Sequence, residues 1–128
     1  MSGMIDHLSL GVADLERSRA FYDVVLEPLG YRRLFDDANT SGYDRTPAKA
    51  LGFWITQHRT LTTNLGLHIC FAAPNRAAVD AFHAAALAAG GIDNGKPGLR
   101  PQYHDNYYGA FVFDLDGHKI EAVCHQPE

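Results

Sequence analysis

Apolar and polar positions alternate along residues 4–12. Met4, Asp6, Leu8, Leu10 and Val12 fall on one face, and Ile5, His7, Ser9 and Gly11 on the other. A period of two predicts a strand with one side on a core and the other side free for something else. At Leu15 the period changes. Leu15, Phe21, Tyr22, Val25 and Leu26 recur at helical spacing, Asp14 is placed to cap the helix, and Pro28 and Gly30 end it. Strands are then expected at 31–35 and 51–58.

The same succession returns after an offset of 61 residues, which lays 5–31 over 66–92 without a gap. His7 falls on His68, Leu8 on Ile69, Leu10 on Phe71, Phe21 on Phe82, Leu26 on Leu87 and Gly30 on Gly91. Leu67, Ile69 and Phe71 form one face of the second strand, and Gly66, His68 and Cys70 the other. Asn75 caps a helix whose inner face carries Val79, Phe82, Ala86 and Leu87, ended by Gly90-Gly91. Strands at 107–114 and 118–125 follow, joined by the turn signal Asp116-Gly117. The sum is an α+β domain over 1–128 made of two tandem βαβββ modules, about 4–58 and about 65–125. Two such modules are expected to form a cupped open barrel with the helices outside and a concave face that can hold polar residues.

Composition narrows the partners. The chain has 128 residues with 46% hydrophobic and 20% charged, as in an ordinary globular protein, and a formal charge of −4 with no basic run. That disfavours nucleic acid and anionic membranes as partners, and no apolar stretch approaches a membrane span. The beginning MSGMIDHLSL lacks a signal-peptide pattern, and two cysteines, Cys70 and Cys124, stand in no CxxC spacing. Reduced thiols in a cytoplasmic protein are the expectation.

Seven histidines invite a metal hypothesis. Three residues fall on the faces assigned to the concave side: His7 and His68, equivalent in the repeat, and Glu121 in the last strand. Two imidazoles and a carboxylate can hold a divalent ion (Zn, Ni, Mn or Fe) and leave coordination positions open.

The stretches IDHLSLGVADLERSRAFY, LHICF and YYGAFVFDLDGHKIEAV resemble the vicinal-oxygen-chelate superfamily of glyoxalase I, extradiol dioxygenases, methylmalonyl-CoA epimerase and fosfomycin and bleomycin resistance proteins. The resemblance covers nearly the whole chain and implies that His7, His68 and Glu121 are metal ligands, with Glu121 also able to move a proton. It further implies a homodimer and a site between two modules, sometimes donated by different chains. One departure stands out. Aligning 52–55 with 119–122 puts Trp54 where glyoxalase I carries a fourth ligand. An indole is neither an oxygen ligand nor a base, which disfavours standard glyoxalase chemistry. The remaining set of three suits Fe(II) oxygenases or Mn(II)-dependent thiol transferases equally.

The segment 98–109 is rich in Arg, Tyr and His for a loop. Arg100 is placed to clamp a carboxylate or phosphate, and Tyr103, His104, Tyr107 and Tyr108 to line the cup, with Ser9 and Trp54 on the face of His7. His58, His83, His118 and His125 are read as exposed or at turns and without a role. Cys70 is expected on the face of His68, and Cys124 on the opposite face from Glu121. The expected function is that of a metal-dependent enzyme acting on a small oxygenated substrate as lyase or isomerase, dioxygenase or thiol transferase. A metal-free small-molecule binder of the bleomycin-resistance type is the alternative, and a ligand-sensing module a third.

Overall fold

A computed structural model describes residues 3–47, 51–64 and 66–128, so residue 65, the expected start of the second module, lies outside it. The order is β1 (Leu8–Val12), α1 (Leu15–Leu26), a 3-10 turn (Glu27–Leu29), β2 (Arg32–Asp36), β3 (Thr40–Asp44) and β4 (Phe53–Gln57). The second module repeats it: β5 (His68–Ala72), α2 (Arg76–Ala88), β6 (Ile92–Leu99), β7 (Tyr108–Phe113) and β8 (Lys119–Cys124). The first strand starts at Leu8, so His7 sits just ahead of it and not within it.

Each module makes one four-stranded mixed sheet, in the orders β1-β4-β3-β2 and β5-β8-β7-β6. The pairs β1–β4 and β5–β8 are parallel and the others antiparallel. The 61-residue offset is kept in detail. Asp14 accepts from the backbone N–H of Arg17, and Asn75, its counterpart, from that of Ala78. The glycines that let the chain leave the helices are Gly30 (φ 90°) and Gly90 (φ 102°), a backbone conformation that costs other residues a clash at Cβ.

Helices cover one face of each sheet. Leu10, Val12, Phe53 and Ile55 meet Phe21, Tyr22 and Val25, while Ile69, Phe71, Val112 and Ile120 meet Val79, Phe82 and Ala86, all in one buried cluster. Leu87 departs from expectation and is 41% exposed, because α2 turns Ala86 and not Leu87 to the sheet. Where the modules meet, Phe53 packs edge-on to Phe71 at 5.1 Å and the Tyr31 hydroxyl donates to the Ala72 carbonyl. The β7–β8 turn is held by Asp114, whose carboxylate accepts from the N–H of Asp116 and His118 and from the Tyr22 hydroxyl.

Three histidines read as idle have partners. His83 is 8% exposed and bonds to Asp93, because α2 presses it against β6. His118 donates from Nε2 to the Gly11 carbonyl, tying the β7–β8 turn to β1. His125 stacks on His104. His58 is exposed, as expected.

Candidate functional site

The outer face of the second sheet carries a cleft of about 600 Å³. At its floor Glu121, on β8, is 1% exposed. A buried carboxylate needs donors on its oxygens. It has two: His68 Nε2 lies 3.0 Å from Oε1, and the Tyr107 hydroxyl donates to Oε2. His68 opens β5 and its ring is 42% exposed to the cleft. Burial first, then the hydrogen bond to Glu121, raises the Tyr107 phenol far above its usual range. Cys70 stands beside Glu121 in the sheet register, and burial followed by that carboxylate's charge raises the thiol likewise. Both groups therefore stay protonated at neutral pH.

The walls come from the loop after β6 and from β7. Tyr107 is braced edge-on by Tyr103 at 4.8 Å, by His104 at 5.5 Å and by His125 at 5.3 Å. The tautomers of the imidazole pair follow from their partners. The Asn106 N–H donates to His104 Nδ1, so His104 must donate from Nε2 to His125 Nδ1, 2.7 Å away. Arg100, Phe111 and Lys119 line it too, with Asn94 and Gly95 of β6. Tyr108 does not join it. Its side chain points to the helix side of β7, where its hydroxyl donates to Asp80.

His7 lies elsewhere. With Ser9, Thr40, Trp54 and Thr56 it lines a separate hollow of about 220 Å³ on the outer face of the first sheet. His7 Nδ1 is 2.7 Å from the Asp6 carboxylate, which can only accept, so the ring donates there and presents Nε2 with a free lone pair. The carboxylate–imidazole arrangement orients a ligating histidine in many metal sites. Trp54 occupies the place equivalent to Glu121. Ser9 pairs with Trp54 as Cys70 pairs with Glu121, and the indole N–H donates to the Leu51 carbonyl.

Within one chain, then, His68 and Glu121 come together and His7 does not join them. Among the described residues no three His, Cys, Asp or Glu side chains converge on a common point. The His68–Glu121 pair still fits an ion: two donors about 2.1 Å from one metal and at right angles lie about 3 Å apart. The other expected pocket residues divide in the same way, with Arg100, Tyr103, His104 and Tyr107 in the large cleft and Ser9 and Trp54 in the small hollow. Sequence reading missed Phe111, Lys119 and His125. Lys119 and His125 stand an even number of residues from Glu121 along the last strand, and that parity was the available signal.

The model of the Glyoxalase/Bleomycin resistance protein/Dioxygenase superfamily matches residues 4–122. The chain belongs to this superfamily. A superfamily structure from Albidiferax ferrireducens, described as a glyoxalase/bleomycin resistance protein, is 35% identical over 94% of this chain and 98% of its own, with a TM-score of 0.85. A family enzyme from Burkholderia phytofirmans shares the fold at 18% identity and a TM-score of 0.73, covering 94% and 98% of the two chains. The fosfomycin resistance protein FosX of Listeria monocytogenes, solved with Mn(II) and a dihydroxypropylphosphonic acid, shares it at 19% identity and 0.71, covering 98% and 93%. Comparison with curated proteins gives no significant match. No helix among the described residues of this superfamily member is long and apolar enough to cross a membrane.

Proposed function

We propose that this superfamily member is a metal-dependent enzyme acting on a small oxygenated substrate, with the ion held by His68 and Glu121 of one subunit and His7 of a second copy. The observation that carries the reading is the 3.0 Å approach of His68 Nε2 to Glu121 Oε1 at the floor of a cleft large enough for a small ligand. His7 presents an oriented imidazole on the other module's outer face, as a donor to a second subunit would. When bound, the ion would polarise a substrate oxygen. The chain's own groups do the rest. Tyr107 occupies one oxygen of Glu121 and so leaves the other for the ion, and the braced imidazoles of His104 and His125 wall the cleft. Trp54 in place of a second carboxylate disfavours glyoxalase I chemistry and leaves three protein ligands. Mn(II), which the Listeria FosX holds, is the first ion to test, followed by Fe, Ni and Zn.

Metal analysis after reconstitution tests this directly. About one ion per chain is expected, and a His68→Ala variant should remain folded and lose it. Less than about a tenth of an ion per chain with every metal would overturn the reading. That result would favour a metal-free binding protein, in which the direct His68–Glu121 bond satisfies both groups unaided.

A further inference from the structure

Arg100 and Lys119 face the large cleft from opposite segments, and both lean on the ring of Phe111. The guanidinium carbon lies 5.6 Å and the ammonium 5.3 Å from its centroid. Among the described residues neither has a carboxylate within 4.0 Å. The one acid lining the cleft, Glu121, is already engaged by His68 and Tyr107. In a chain of formal charge −4, two half-buried cations thus share one cavity with a single carboxylate that neither of them contacts.

Arg100 is held there. Its Nη1 donates to the Gly98 carbonyl at 2.9 Å and its Nη2 to that of Lys96 at 2.7 Å. Of five guanidinium N–H groups, two are used and three remain. Glycines make the room. A Cβ on Gly95 would stand 3.3 Å from Nη2 and 3.0 Å from the Phe111 ring, and one on Gly98 would stand 3.3 Å from Nη1. A rigid fork with spare donors next to a point cation is the chemistry that recognises oxyanions. Lys119 pairs in register with His68 and precedes Glu121 by two residues on the same strand face, so a group bound there lies beside the proposed metal pair.

We infer that the substrate is an anion, and that Arg100 and Lys119 bind its carboxylate or phosphate-type group against Phe111. This rests on the catalytic reading of the cleft for its meaning, but the binding can be tested apart from it. In the second copy's hollow Ser9, Thr40, Trp54 and Thr56 carry no charge, and the Asp6 carboxylate that would arrive with His7 is held on the far side of that ring, at Nδ1.

Metal-free, 15N-labelled protein is titrated with inorganic phosphate and separately with acetate, each replacing chloride at constant ionic strength. The amides of Gly95, Phe111 and Lys119 and the Arg100 Nε–H are followed by NMR. Saturable shifts confined to these signals are expected, and the anion that saturates at lower concentration identifies the group. Lys119→Gln should weaken binding about tenfold, the loss of one charge-assisted contact. Arg100→Gln should weaken it at least as much. The Lys119 ammonium makes no hydrogen bond among the described residues, so its variant is not expected to disturb the fold and decides the matter. Linear shifts with both anions, or unchanged saturation in Lys119→Gln, overturn the inference. Saturation without metal uptake would sink the metal-enzyme reading alone, and metal uptake without saturation would sink the anion site alone.

Discussion

The Tyr107 hydroxyl and the Glu121 carboxylate meet on the oxygen that His68 leaves unused. Removing that hydroxyl should therefore weaken an ion held by Glu121 without touching the ligand. For Tyr107→Phe, metal affinity is expected to fall about 10–100-fold, the usual effect of losing an outer-shell partner. Stability should change by only about 1 kcal/mol, since the ring and its aromatic neighbours remain. Competition with a chromogenic chelator measures the first and urea unfolding the second. Unchanged affinity would show that Tyr107 does not support the ligand.

A shared site makes a prediction that an intrachain site cannot. His7→Ala and His68→Ala chains should each bind no metal alone. Mixed through partial unfolding and refolding, they should recover one ion per heterodimer, because one of the two sites then unites an intact His7 with an intact His68. Metal content and native mass spectrometry read the outcome. No recovery in a verified heterodimer would place all ligands in one chain.

Asp114 carries three hydrogen bonds at 4% exposure, from Tyr22 and from two backbone N–H groups. Asp114→Ala strands all three donors and is expected to cost about 2–4 kcal/mol. Asp114→Asn keeps an acceptor for the turn and should cost roughly half as much. Urea unfolding of the two variants gives the comparison, and equal losses would mean that the carboxylate matters for its charge and not as an acceptor.

The His83–Asp93 contact predicts an acid limb in stability. The hydrogen bond from His83, then that from the Gly95 N–H, holds Asp93 below its ordinary value of 3.8. A depressed acid stabilises the fold above its unfolded value and loses that contribution as pH falls through the folded one. Asp114 has the opposite sign. Burial raises its pKa, so its contribution is full at low pH and fades as pH rises through the raised value. A His83→Leu variant should therefore lose stability less steeply than wild type below 3.8. Urea midpoints at several acid pH values test this, and parallel curves would remove the pair from the account.

Much of the fold was legible because local pattern and tertiary role agree. Period two marked β1 and β5, strands were expected where β2, β4, β7 and β8 stand, and the caps Asp14 and Asn75 fixed both helix starts. The sequence was silent on β6. IDNGKPGL has no alternation and contains a proline, yet it pairs with β7 through two register shifts as an edge strand, where a missing N–H is tolerated. The interior strand β3, TSGYD, was unmarked because it is short and polar and has one large apolar residue, Tyr43. For the site, repeat symmetry pointed to His7 and His68 together, but symmetry relates positions in modules and says nothing of which outer faces confront each other. The pairing of His104 with His125 joins residues 21 apart, on either side of the β7–β8 hairpin, and no periodicity encodes it.

Trp54 lies flat over Gly42, whose hypothetical Cβ would stand 2.9 Å from the indole, with Phe35 against its edge at 5.5 Å. Exchanging it for glutamate would open a void above Gly42, leave the Leu51 carbonyl without its donor and bare one side of Phe35. A carboxylate at this place is thus not one substitution away. The two modules are therefore locked into different uses of the same corner: the second holds an acid there, and the first fills it with a ring whose exchange for a carboxylate must pass through a less stable protein.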